Sequence, residues 1–338
     1  MLLHGLRDVG LFDNAARFLL LSVVYLTLRA ESFDMRYVIV GAVVGCGVAF
    51  SASVLHLMAD PQLPQARGRI VGSMNAVVFA QTAFFLLLVA LTPTKTPGPS
   101  LSRTRLLLLV VVVVASISLV VSQSRVVLVA LVALYVYLFL HDERLPGGSL
   151  ATCVLLLCGA CAVVYLVNAP FFYHLAGTTS ELVANLGQID PLTSLGQRLA
   201  LWSSSWQMIL EKPFFGFGIG QFNEALSSLP GAASLTATVR SYSHAHNDFL
   251  QLAVEQGLVG LTVFLLALAA IPFLALHEKF AADARYLLVG SVSCWLFFGL
   301  THTQLAHQKT TLMFAVLLML GFSHGMNGKY GPLDSNDS

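Results

Sequence analysis

Long apolar runs broken by short polar segments dominate this chain. Runs of suitable length fall at 15–30, 37–58, 74–92, 105–122, 125–140, 150–170, 249–276, 285–301 and 310–324. A transmembrane helix needs about 20 mostly apolar residues, so the pattern predicts about nine transmembrane helices. The first run is the weakest, because its clean apolar core, Phe18–Leu28, is short. Asp8 and Asp13 precede it and no small-residue cleavage site follows, so it reads as a span rather than a signal peptide. A long polar stretch, 171–248, separates the sixth run from the seventh. The expected organisation is therefore N-terminal transmembrane helices over 1–170, a loop over 171–248, C-terminal transmembrane helices over 249–324, and a polar tail over 325–338.

Composition agrees with the pattern. The 338 residues are 57% hydrophobic and only 10% charged, against roughly 25% charged in soluble domains. Mean hydropathy is +0.78. The fold class is all-α polytopic membrane protein. A net charge of +1 gives no global field that would attract nucleic acid. Cys158 and Cys161 form a C-x-x-C, but it lies inside the apolar run Leu155–Val167. With no strand and turn around it, the pair reads as small residues at a helix contact rather than a redox motif.

Loop charges suggest an orientation, since cytoplasmic loops carry an excess of Lys and Arg. With 171–248 placed outside, nine basic residues fall on the cytoplasmic side (Arg29, Arg36, Lys95, Arg103, Arg105, Arg144, Lys279, Arg285 and Lys329). Six fall in the opposite short segments: Arg7, Arg17, Arg67, Arg69, Arg125 and Lys309. The bias favours an extracytoplasmic, periplasmic loop and a cytoplasmic C-terminus. Arg67, Arg69 and Arg125 would share the long loop's side, which suits either ligand binding or snorkelling to the interface.

The polar chemistry is concentrated near the start of the seventh run. Ser243-His244-Ala245-His246-Asn247-Asp248 stands directly before it, and Gln251 and Glu255 lie within it. Ionisable groups at membrane depth are functional candidates by default. On a helix, Asn247, Gln251 and Glu255 recur every fourth residue and share one face. His246 is a candidate general base, since an ordinary imidazole titrates near neutrality. Asn247 could orient it or bind a sugar hydroxyl. Asp248 is expected to cap the helix, with Phe249 as its first residue. His244, His246, His302 and His307 fall on one side and could in principle ligate zinc, but their spacing matches no known zinc signature.

Upstream, the stretch Leu195–Glu211 sets Arg198, Trp202 and Trp206 at helical spacing on one face. An amphipathic helix along the membrane surface is expected, with its guanidinium available either to phosphate oxygens or to lipid headgroups. Lys212-Pro213-Phe214-Phe215-Gly216-Phe217-Gly218-Ile219-Gly220-Gln221-Phe222 follows. It is neither a dinucleotide fingerprint nor a P-loop. A tight turn packing its rings at the membrane face is expected. A backbone-amide cradle for an anion is the alternative.

Taken together these segments resemble the O-antigen ligase superfamily. The resemblance rests on Arg198…Trp202…Pro213-x-x-Gly216-x-Gly218-x-Gly220-x-Phe222…His246-Asn247-x-x-Leu250-Gln251-x-x-x-Glu255-x-Gly257-x-x-Gly260. Arg69-x-x-Gly72-x-x-Asn75 and Ser124-Arg125 extend it more weakly. The resemblance implies a bacterial inner-membrane enzyme, in lipopolysaccharide or surface-polysaccharide biosynthesis, that takes a glycan from an undecaprenyl-pyrophosphate carrier at the periplasmic face. The acceptor would be a hydroxyl of lipid A–core, of a growing polysaccharide or of a protein. By the same resemblance His246 would be the catalytic base. Arg125 and Arg198 would hold the pyrophosphate, with Arg69, Asn247, Gln251 and Glu255 also at the substrate site. No metal, cofactor or nucleic acid is expected. The competing reading from another class is a transporter. It would need inverted repeats and broken helices near mid-membrane, and no internal repeat is visible.

Overall fold

A computed structural model describes residues 22–31, 33–59, 75–93, 101–122, 124, 126–127, 129–134, 190 and 192–330. Arg67, Arg69, Arg125, the expected helix at 150–170, the C-x-x-C and most of the loop before residue 190 lie outside the described residues. What is described is helical. The principal elements are α1 (Met35–Ala59), α2 (Ala76–Ala90), α3 (Leu101–Val121), α4 (Ser194–Glu211), α5 (Phe222–Ser228), α6 (Ala237–Arg240), α7 (Asp248–His277), α8 (Ala282–Gly299) and α9 (Gln308–Tyr330). Residues 22–30 and most of 126–134 are helical as well.

Among the described residues, three helices are long and apolar enough to cross a membrane: Met35–Leu55 within α1, α7 and α9. Shorter apolar helices occur at Ala76–Ala90 and Val110–Leu119. The chain is a membrane protein. The helix predicted at 310–324 runs on to Tyr330 and takes in the start of the expected tail.

Two packed bodies position the site. In the first, α1 packs on α2 and α3, and α2 packs on α8 and α9. Phe298 of α8 lies fully buried between Phe84 and Phe85, edge-on to both, with ring centroids 5.5 and 6.1 Å away. In lipid such contacts hold helices by van der Waals packing rather than by escape from water, so close backbone approach matters. Gly321 and Gly325 of α9 supply it: an added Cβ would come within 2.7 Å of Leu288 and 2.4 Å of Phe280.

The second body is smaller. There α4, α5, α6 and the first turns of α7 enclose Leu201, Met208, Phe222, Leu226, Val239, Ala253 and Val254. Thr193 caps α4 by accepting from Gly196 N, and Pro213 follows the last turn, as expected of a residue that cannot continue a helix.

Candidate functional site

The apolar run of α7 hides a break. Gly257 has φ 69° and ψ −175°, so the helix stops and restarts there. A break at such a position strands carbonyls and amides that lipid cannot satisfy. The glycine-rich loop satisfies them. Phe217 N donates to Val254 O at 2.9 Å and Gly218 N to Glu255 O at 2.8 Å. In return, Leu258 N donates to Pro213 O at 2.7 Å and Val259 N to Phe214 O at 3.3 Å. Only glycine fits at the crossing. A Cβ on Gly257 would lie 2.1 Å from Phe214 O, and one on Gly216 would lie 2.5 Å from Val254 O. Beyond the break, Leu258–His277 spans on the order of 30 Å at about 1.5 Å per residue, the thickness of a hydrocarbon core.

The same loop holds Glu255. Its Oε1 accepts from Gly220 N at 3.0 Å and from Gln251 Nε2 at 2.8 Å. The amides considered as an anion cradle thus serve the chain's own backbone and carboxylate. Phe214, Phe215 and Ile219 are left exposed around the turn.

Gln251 carries the connection onward. Its Oε1 accepts from Ala245 N at 2.8 Å, while Trp202 Nε1 donates to Ala245 O at 3.1 Å. Ala245 is fully buried, and both its backbone groups are pinned by side chains from two helices. His246 follows with φ 52°, in the left-handed region. A non-glycine residue there costs about 1–3 kcal/mol, and such strain collects at functional positions. Trp202 was expected to lie at a membrane boundary. It docks onto the histidine loop through its Nε1, while Trp206 is exposed.

The start of α7 differs from expectation by one residue. Asn247, not Asp248, is the cap: its Oδ1 accepts from Phe249 N and Leu250 N at 2.9 and 3.0 Å. Its Nδ2 reaches across to Leu300 O at 2.9 Å. Asp248 is thereby freed for another task. Fully buried, it accepts from Leu305 N at 3.1 Å and from Gln304 Nε2 at 3.4 Å. Gln304 Nε2 also donates to Trp295 O at 2.8 Å, and Thr310 Oγ1 donates to Gln304 O at 3.0 Å. The turn between α8 and α9 is therefore stitched to the head of α7.

That stitching gathers four imidazoles. Ring centroids lie 4.5 Å apart for His244 and His246, 6.2 Å for His246 and His302, 4.6 Å for His302 and His307, and 6.0 Å for His307 and His244. His302 stacks nearly parallel on His307, and Tyr242 meets His246 edge-on at 4.8 Å. Among the described residues, His246 Nδ1, His302 Nε2 and His307 Nε2 are buried with no hydrogen-bond partner. Leaving such an atom unsatisfied costs about 1–3 kcal/mol. No set of three or more His, Cys, Asp or Glu among the described residues converges closely enough to hold a metal ion.

Electrostatics keep the ring neutral. Burial, then His244, then Arg198, then His307 push His246 down to about 3. Burial and the three other imidazoles, with Arg198, push His302 down to about 2. Burial and His307 lower His244 to about 4, and burial lowers His307. Arg198 of α4 is thus a fixed cation whose charge acts on His246 and His302. The described residues bring together His246, Asn247, Gln251, Glu255 and Arg198, with His302 and Asp248 as members that spacing alone did not connect.

The geometry defines a helical membrane protein whose polar site sits at the head of a broken membrane helix. An O-antigen ligase family model matches residues 109–265, which include Arg198, the glycine-rich loop, His246 and the break at Gly257. That match, over just under half of the chain, supports membership of the O-antigen ligase superfamily. It is also similar to an uncharacterized protein of Haemophilus influenzae strain Rd, 26% identical over 136 residues. That stretch covers 39% of this chain, and the chain spans about a third (33%) of the length of this curated relative.

Proposed function

We propose that this protein transfers a glycan from an undecaprenyl-diphosphate carrier to an acceptor hydroxyl at the periplasmic face of the bacterial inner membrane, as an O-antigen ligase does. The observation that carries the reading is His246, strained and pinned at the head of α7 with Arg198 beside it. In the reaction, the acceptor oxygen bonds to the anomeric carbon and its proton passes to His246. The bond from that carbon to the diphosphate oxygen breaks, and undecaprenyl diphosphate leaves with the electron pair. Arg198 and Arg125 bind the diphosphate through paired donors and stabilise the charge that grows on it. Arg69 supports the same anion. Asn247, Gln251 and Glu255 position the histidine loop and the sugar. No metal or nucleotide takes part in this scheme.

The purified full-length chain, given a lipid-linked glycan and an acceptor, tests it. Loss of a positioned base costs about 10²–10⁴-fold, so His246→Ala should lower transfer by that factor while donor binding is nearly unchanged. Equal transfer by the wild type and His246→Ala would remove the base. The acceptor is then read from a deletion strain. Loss of all chain length indicates ligation, and single repeats left on the core indicate polymerisation.

A further inference from the structure

Helix α4 presents a second polar face, turned away from the histidine loop. At 3.6 residues per turn, Ser203, Ser204 and Gln207 lie on the side opposite Arg198 and Trp202. Trp202 is the residue that reaches Ala245 O in the histidine loop. The far face meets the turn after α5, residues 229–236, and the two enclose a groove of about 310 Å³. Ligand sites begin at roughly this size, about 300 Å³.

The lining of the groove is uncharged and mixed. From α4 come the hydroxyls of Ser203 and Ser204 and the amide of Gln207. From the turn come Leu229, Pro230 and Leu235. Neighbouring hydroxyls are already engaged. Ser205 Oγ donates to Leu201 O and Ser234 Oγ to Gly231 O, each at 2.7 Å, and Thr236 Oγ1 accepts from Val239 N at 3.3 Å. The side chains of Ser203, Ser204 and Gln207 make no hydrogen bond among the described residues, although Ser204 is only 6% exposed. The apolar wall is fixed, because Leu229 belongs to the core of the second body and Leu235 packs against that core.

Such a lining selects by exclusion. Among the described residues no charged side chain lines the groove, so a phosphate, a metal ion or a charged peptide would find no counter-charge. An acyl chain would cover the Ser204 hydroxyl and leave it unpaired, which is unfavourable. A pyranose ring suits both halves. Its hydroxyls pair with Ser203, Ser204 and Gln207, each of which can donate and accept, and its C–H face lies on Leu229, Pro230 and Leu235.

We propose that this groove is a distal sugar subsite, holding an uncharged sugar of a glycan whose other end lies at His246. This rests on the reading of the chain as a glycan transferase. The groove and the histidine loop are separated by the width of α4, about 10–12 Å with its side chains, which is farther than one sugar ring spans. A glycan that fills both is therefore an oligosaccharide. The groove makes transfer depend on glycan length without touching the reacting bond.

Saturation-transfer NMR on the purified full chain reads binding directly. Two probes are used separately: the oligosaccharide freed by mild acid from the producing strain's lipid-linked pool, and the core oligosaccharide freed from its lipopolysaccharide. Ser203→Trp fills the groove from an exposed position, and Gln207→Leu, also exposed, removes the amide. A thermal melt confirms that both variants are folded. Ser203→Trp should abolish groove binding of one probe, and Gln207→Leu should weaken it roughly two- to tenfold. An effect on the first probe assigns the groove to the donor glycan, and an effect on the second assigns it to the acceptor. In transfer assays the wild type should have a lower KM for the full oligosaccharide substrate than for its single-sugar counterpart. Ser203→Trp should erase that preference and leave kcat with the single-sugar substrate unchanged. Binding of neither probe would overturn the proposal, as would binding of both unchanged in the two variants. So would a length preference equal in the wild type and Ser203→Trp. Binding lost in the variants, with no transfer by the wild type, would leave the subsite standing and remove the transferase reading. Transfer by the wild type with no effect of either variant would do the reverse.

Discussion

The side-chain oxygen of Gln251 accepts from the backbone amide of Ala245 at 2.8 Å, one residue before the strained His246. The nitrogen of the same side chain, Gln251 Nε2, donates to Glu255 Oε1 at 2.8 Å. A single side chain thus ties the histidine loop to the carboxylate held by the glycine-rich turn.

Replacing Gln251 by Leu should therefore loosen His246 without touching it. The buried Ala245 amide would lose its partner, at a cost of about 1–3 kcal/mol. Transfer should fall through kcat, with donor affinity little changed. A rise in KM alone would count against a positioning role for Gln251.

The arginines should be sensitive to shape as well as charge. A lysine keeps the charge but not the planar fork. If about 1.5–3 kcal/mol rides on each charged hydrogen bond, Arg198→Lys and Arg125→Lys should each weaken donor binding by roughly ten- to a hundred-fold. Near wild-type binding by both variants would dismiss the diphosphate clamp.

Gly257→Ala should damage the fold rather than the chemistry. The left-handed backbone alone costs about 1–3 kcal/mol for another residue, and the new Cβ would strike Phe214 O at 2.1 Å. The melting temperature in detergent should drop well below that of Gly41→Ala, whose Cβ meets nothing within 4 Å. Equal melting of the two would mean that the loop does not enter the break.

Acidification should destabilise the empty protein. Folding holds His244, His246 and His302 at about 4, 3 and 2, against 6.5 in the unfolded chain. The unfolded chain therefore binds protons first. The stability is present above about 6.5 and is lost as pH falls from there toward the folded values. The melting temperature should decline from neutral pH downward, and His302→Asn should flatten that decline. A melting temperature independent of pH over this window would show that the ring is not buried as described.

Orientation is open to reporter fusions. Alkaline phosphatase should be active when joined near Gly231 and inactive when joined after Lys329. The opposite pattern would overturn the placement of the site on the outer face.

The sequence made the helices legible where apolar runs end in polar residues. The runs at 37–58, 74–92 and 285–301 lie within a few residues of α1, α2 and α8. The Arg198–Trp202 face, His246 and the Gln251–Glu255 spacing were also visible, because polar groups stand out in an apolar background. The break at Gly257 was not, since hydrophobicity continues through Leu258-Val259-Gly260-Leu261 without interruption. Its signal was indirect: a glycine inside a span, and a second glycine-rich segment whose backbone could complement it. Asp248 was misassigned because Asn and Asp cap helices about equally well. Only the distant turn at 304–305 shows why Asn247 takes that place. His302 and His307 were noticed as neighbours of the loop. Their stacking depends on a contact across 56 and 57 residues, from Asp248 to Gln304 and Leu305, which no local pattern encodes.

That long contact also sets an order of events. During synthesis the histidine loop leaves the ribosome well before the turn that latches it, with all of α7 and α8 made in between. Until residues 300–307 have been made, Asp248 lacks Gln304 and Leu305, His246 lacks His302, and Asn247 lacks Leu300. The histidine loop is therefore incomplete through most of synthesis. It is completed only when α8 and the start of α9 have been made, so a chain stalled halfway would carry the signature residues without the contacts that seat them.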